Sequence, residues 1–122
     1  MILSSLAAAL ALQAATPVLA KPSSFADLSL EEATAPRCGV AFAIVQGWQV
    51  SGDTRGGAWP SMEEVGAREF FLGAIARLMD KYGLERSEVS TLILGETQRH
   101  QTDDFARVQA MMPGCLVLLQ GT

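Results

Sequence analysis

Cys38 and Cys115 are the only cysteines of this chain and lie 77 residues apart. Joined, they would draw almost everything downstream of the leader into one closed loop. Whether they join depends on the compartment, because disulfides persist in oxidising surroundings and are rare in the cytosol.

The first twenty residues point to such a compartment. Residues 2–20 carry no charged side chain, Leu6 to Leu12 form an apolar Ala/Leu core, and Val18-Leu19-Ala20 ends it on a small residue. This is the pattern of a secretory signal peptide cut after Ala20. It departs from the usual pattern in having no Lys or Arg before the apolar run. The competing reading is an uncleaved membrane anchor, but Gln13, Thr16 and Pro17 interrupt the stretch. No cysteine lies beside the cut, so a lipoprotein is not expected. The protein is therefore expected in the periplasm or secreted, with no membrane association after cleavage.

Export makes a Cys38–Cys115 disulfide the default reading. Chain entropy puts so long a loop at ~4.5 kcal/mol of stabilisation, and such bridges commonly deliver about 2–4 kcal/mol. The alternatives are two free core thiols, or a redox or metal pair. There is no Cys-x-x-Cys, and no histidine is near either cysteine in sequence.

The 122 residues hold nine Lys+Arg against thirteen Asp+Glu, a net charge of −4. An acidic surface argues against nucleic acid and against anionic lipid. Removing the leader leaves roughly 100 residues, enough for one core of marginal stability.

Every strong periodicity in that part is helical. Residues 21–36, rich in Ser, Ala and Pro, read as a flexible tether, with Ser29 and Glu32 able to cap one short turn and Phe25 or Leu28 able to touch the body. A helical domain over 37–122 follows. Its first helix spans about Arg37 to Val50, with Pro36 at its start and Cys38, Ala41, Phe42, Val45 and Trp48 on one face. Ser51 to Pro60 is a glycine-rich loop, and it lacks the Gly-x-x-x-x-Gly-Lys of a phosphate cradle.

Ser61 and Glu64 make a capping box for a second helix ending at Gly83. Its stripe is Val65, Leu72, Ile75, Met79 and Tyr82, with Gly66 and Gly73 as candidates for close helix approach. A third helix runs from Glu88 to His100 and a fourth from Thr102 to Met112. Pro113-Gly114 breaks the chain before a short buried fifth helix from Cys115 to Leu119. The fold class is all-α: four or five short helices in one small bundle, with a disulfide between the first and last.

Several of these residues also form an ordered series: Cys38-x-x-x-Phe42-x-Ile44-Val45, Arg68-Glu69-Phe70-Phe71, Leu78-Met79-Asp80-x-x-Gly83-Leu84 and Pro113-x-Cys115-Leu116-x-Leu118-Leu119. The series resembles a group of small exported bacterial hypothetical proteins. Its motifs are cysteines, caps and core positions, so it implies an exported, helical, disulfide-closed domain and assigns no activity. The layout is also similar to acid-stress periplasmic chaperones. There the likeness is one of architecture, which does not carry function.

Candidate chemistry is sparse. His100 is the only histidine; Glu96 precedes it by one helical turn, and Asp103 and Asp104 follow. Such residues are weak candidates for a divalent metal, because one imidazole with scattered carboxylates falls short of a zinc set. The plainer reading is a histidine complementing a helix C-terminus. No Gly-x-Ser-x-Gly occurs, and Arg68, Glu69, Glu64 and Asp80 read as surface ion pairs. The methionines read as core filling. Trp59 packs before the second helix or serves as a contact, and Phe70 lies off the main stripe as a candidate exposed contact. The expected function is that of an exported, non-catalytic binding or interaction module without cofactor. Its partner is apolar or amphipathic, or a second copy of the chain. The alternatives are an envelope structural or stress component, and a small metal protein or enzyme built on His100.

Overall fold

Ser29 lies in extended backbone, and its hydroxyl accepts the N–H of Glu32. That cap, with Glu31 and Glu32 in the first turn, starts a helix at Leu30. In the computed structural model, which describes residues 19–122, this helix α1 continues to Ser51. Three more follow: α2 (Ala67–Tyr82), α3 (Arg86–Gln101) and α4 (Ala106–Gln120). Short 3-10 turns occupy Phe25–Asp27 and Thr54–Ala58, and no strand occurs among the described residues. The expected leader, residues 1–20, falls almost wholly outside the described residues. No described helix is long and apolar enough to cross a membrane.

The fold is the expected all-helical bundle, with the Cys38–Cys115 disulfide joining the first and last helices across a Cα–Cα distance of 5.3 Å. Both cysteines are buried. α1 is the central element. One of its sides puts Cys38, Phe42, Val45 and Trp48 against Met62, Ala67 and, from α4, Val108, Met112 and Cys115. Its other side puts Ala33 and Val40 among Ile75 and Leu78 of α2, Leu84, and Val89 and Leu92 of α3. A helix buried on two sides has no single apolar face, so its sequence periodicity is blunt.

Five expectations change. Residues 21–36 are not a tether. Ser24 caps the Phe25–Asp27 turn, Phe25 and Leu28 join the second core cluster, and Lys21 reaches Glu88 at 3.1 Å. Buried apolar contacts hold a segment whose composition reads as linker. Correspondingly, α1 begins at Leu30 and not at Arg37, with Pro36 inside it. An interior proline costs a helix about 3 kcal/mol. Tertiary contacts offset that: Ala33 and Pro36 are buried, and Glu32 binds Lys81 at 2.6 Å and the Tyr82 hydroxyl at 2.9 Å.

The second helix starts late. Ser61 Oγ does accept the Glu64 N–H at 3.3 Å, but Gly66 turns left-handed at φ 76° and α2 begins at Ala67. Its inward residues are Ala67, Ala74, Ile75 and Leu78, while Leu72 is 54% exposed. The close approach of helices is not at Gly66 or Gly73. It is at Gly39 of α1, where an added Cβ would meet Phe71 Cδ1 at 2.5 Å.

Finally, Pro113 does not divide the last segment. α4 is continuous from Ala106 to Gln120, so there are four α-helices and not five among the described residues. Pro113 and Gly114 lie on its exposed side, while Met112 and Cys115 on either side of them are buried. The ring costs the helix one internal hydrogen bond and disturbs none of the packing.

Candidate functional site

Glu96 and His100 stand one turn apart on α3, as their spacing requires, and both face inward. His100 is 0% exposed and Glu96 5%. The Glu96 carboxylate is shared by Arg37 of α1, whose Nε is 3.3 Å from Oε2, and by Arg99, whose Nη1 is 3.2 Å from Oε1. The His100 Nε2 lies 3.5 Å from the same Oε2, too long for a good hydrogen bond. Neither ring nitrogen has a hydrogen-bond partner among the described residues. His100 does stand in the last turn of α3, as expected, but its ring is buried and without solvent contact: it is a core histidine. The core of this small bundle closes over the end of α3, which a helix-end pattern does not reveal.

Burial holds the His100 imidazole below its usual value. Glu96 and Asp103 push it up, while Arg99 and Arg107 push it down. A neutral, solvent-sealed imidazole has no path to a substrate. Two guanidinium groups on Glu96 also repel a cation that would use it. Asp104 turns elsewhere, to Arg55 at 3.7 Å. Among the described residues no three His, Cys, Asp or Glu side chains gather to hold a metal ion. What the cluster does is bridge α1 to α3 beside the disulfide.

Its pH response follows from the sign of the shift. The unfolded imidazole titrates near 6.5, the folded one lower. The contribution of His100 is thus complete above about pH 6.5 and declines as pH falls through the folded value. Melting temperature is expected to drop between pH 7.5 and 5.5, with a slope of up to about 1.4 kcal/mol per pH unit. His100→Gln removes that portion of the profile. An unchanged profile in the variant would mean that His100 does not titrate differently in the folded protein.

A second constellation was not anticipated. Asp104 and Phe105 both have left-handed backbone, at φ 53° and 63°. This is unfavourable for residues with a side chain, by about 1 kcal/mol or more each. The compensation is local. Phe105 stands edge-on to Trp48 at 5.8 Å, and the Arg55 guanidinium lies over both rings, at 4.5 Å from Trp48 and 5.4 Å from Phe105. Asp53 grips Arg55 with both oxygens, at 3.1 and 2.8 Å, and Arg55 in turn holds the Asp53 carboxyl below its usual range.

The glycine loop is thereby pinned to the α3–α4 corner. Gln49 completes it: its amide donates to the carbonyls of Gly56 and Pro60 and accepts the Met62 N–H. Trp59 is half-buried against the core, its indole nitrogen without a partner among the described residues, at the edge of an open concavity lined by Gln49, Asp53, Thr54, Gly57 and Ser61. Only the proximity of Asp53 and Arg55 was visible as a signal in the sequence.

Phe70 is half-buried, not exposed. Its ring is edge-on to Phe42 at 5.5 Å, and its free side walls a groove of about 380 Å³ between α2 and the end of α4. Val65 and Leu119 share the apolar lining, with Glu69 and Arg77 at the rim. The sites singled out in the sequence therefore lie in different places: the histidine cluster in the core, Trp59 at the loop, Phe70 at the groove. No family model, curated protein or solved structure matches this chain.

Proposed function

We propose that this protein is an exported, non-catalytic interaction module that receives an apolar or amphipathic segment in the Phe70 groove. The groove carries the reading: apolar walls from two helices, an acid and a base at the rim, and space for one or two side chains. The disulfide fits an oxidising, extracellular location, in keeping with the leader pattern and with the resemblance to small exported proteins. An enzyme built on His100 is the weaker reading, because the imidazole is sealed and the carboxylate beside it is occupied by arginines.

The test uses a benzoylphenylalanine photo-crosslinker placed at Arg77, on the rim. A discrete adduct is expected, identified by mass as a partner or as a second copy, and lost in Val65→Glu. Val65 is the cleaner position for a charge. Phe70→Glu would set a carboxylate against Phe42 and destabilise the core. No adduct beyond that from exposed Ala110, or an adduct indifferent to Val65→Glu, would remove the groove from the function.

A further inference from the structure

A second cavity, of about 350 Å³, opens between α1 and α4 directly over the disulfide. Thr34, Arg37, Cys38, Met111, Gly114 and Cys115 line it. Arg37 is its one charged residue. Among the described residues the Arg37 guanidinium makes a single ionic contact, through Nε to Glu96, and forms no hydrogen bond in spite of its five N–H groups. Glu96 is shared with Arg99, so two guanidinium charges meet one carboxylate and a positive charge is left over. Of the two, Arg37 lines the apolar trough, in a protein whose net charge is −4. α4 lines it through Met111, Gly114 and Cys115, and residues 108–122 include no charged side chain.

We propose that this cavity binds an amphiphilic monoanion, a medium-chain fatty acid, with its carboxylate on Arg37 and its tail along Met111 and Gly114. The planar guanidinium matches a carboxylate with paired N–H donors. One surplus positive charge calls for one negative charge, which favours a carboxylate over a phosphate. Disulfide sulfurs, the Met111 thioether and the Thr34 methyl offer polarisable, apolar contact to a hydrocarbon chain. The volume is at the small end for ligand sites, which suits a single amphiphile. Gly114 leaves the trough open, since a Cβ there would meet nothing within 4 Å.

The experiment is calorimetric titration of the disulfide-bonded protein with decanoate, decanol and decyl phosphate, each below its micellar concentration. Decanoate is expected to bind one to one, with decanol and decyl phosphate at least tenfold weaker. Arg37→Gln is expected to weaken decanoate at least tenfold. Gly114→Leu fills open space on an exposed helical turn, so it is expected to abolish binding while leaving the melting temperature unchanged or higher. Val65→Glu, in the other groove, is expected to leave decanoate binding intact, which separates this site from the Phe70 surface. Absence of decanoate binding overturns the proposal, as does equal binding of decanol, tighter binding of decyl phosphate, or binding untouched by Gly114→Leu.

Discussion

Reduction of the Cys38–Cys115 bridge is expected to lower the melting temperature by about 15 °C. The bridge closes a loop of 77 residues, and α4 meets α1 around it with no ion pair between the two helices among the described residues. Bridges closing loops of this order commonly deliver about 3 kcal/mol, less than the full chain-entropy value, and each kcal/mol moves the midpoint of a domain this size by several degrees. The paired variant Cys38→Ser with Cys115→Ser is expected to show the same loss without added reductant, and hydrogen exchange is expected to rise first in α4. A double variant that melts within a few degrees of the parent would mean that Val108, Met112 and their neighbours hold α4 without the bridge.

Gly39→Leu is expected to destabilise by about 2–3 kcal/mol, although leucine is the better helix former. A Cβ at position 39 would be 2.5 Å from Phe71 Cδ1 and 3.2 Å from the Phe71 Cα. Backbone cannot yield cheaply, so α1 and α2 must separate, with the cost of overpacking. Gly47→Leu is the internal control. It lies on the same helix with nothing within 4 Å of its Cβ, and it is expected to stabilise by about 0.7 kcal/mol through helix propensity. Chemical denaturation of the two variants measures the contrast directly. Equal effects at the two positions would show that the helices do not approach at Gly39.

The difference between these glycines illustrates what a sequence can and cannot convey. Gly39, Gly47, Gly66 and Gly73 all sit within helical patterns, and sequence reasoning chose Gly66 and Gly73 for close approach. Which glycine faces a neighbour depends on the rotation of both helices, a tertiary quantity. Gly83 was legible, because a helix must end somewhere and its left-handed φ of 63° is a local need. The α1 core face was legible too: Cys38, Ala41, Phe42, Val45 and Trp48 are all buried. Residues 21–36 were legible only in part: Phe25 and Leu28 stood out as candidate contacts, but that these two side chains anchor an otherwise polar segment did not. The Arg55 stack was not legible, since its members Trp48, Arg55 and Phe105 come from three separate stretches.

By itself the sequence determined the helical class, the chain-closing cysteine pair, the caps at Ser29 and Gly83, and the face that α1 turns to the core. Each rests on short-range physics or on a covalent option with a single partner: period, capping geometry, and two thiols with no third. Only the tertiary structure decided that His100, near the end of α3, is fully buried, that Arg37 faces the disulfide cavity, and that Pro113 lies on an exposed turn of an unbroken α4. Those outcomes depend on which groups from distant segments share one space. Burial and unpaired charge are properties of that shared space, not of any residue's neighbours in the chain.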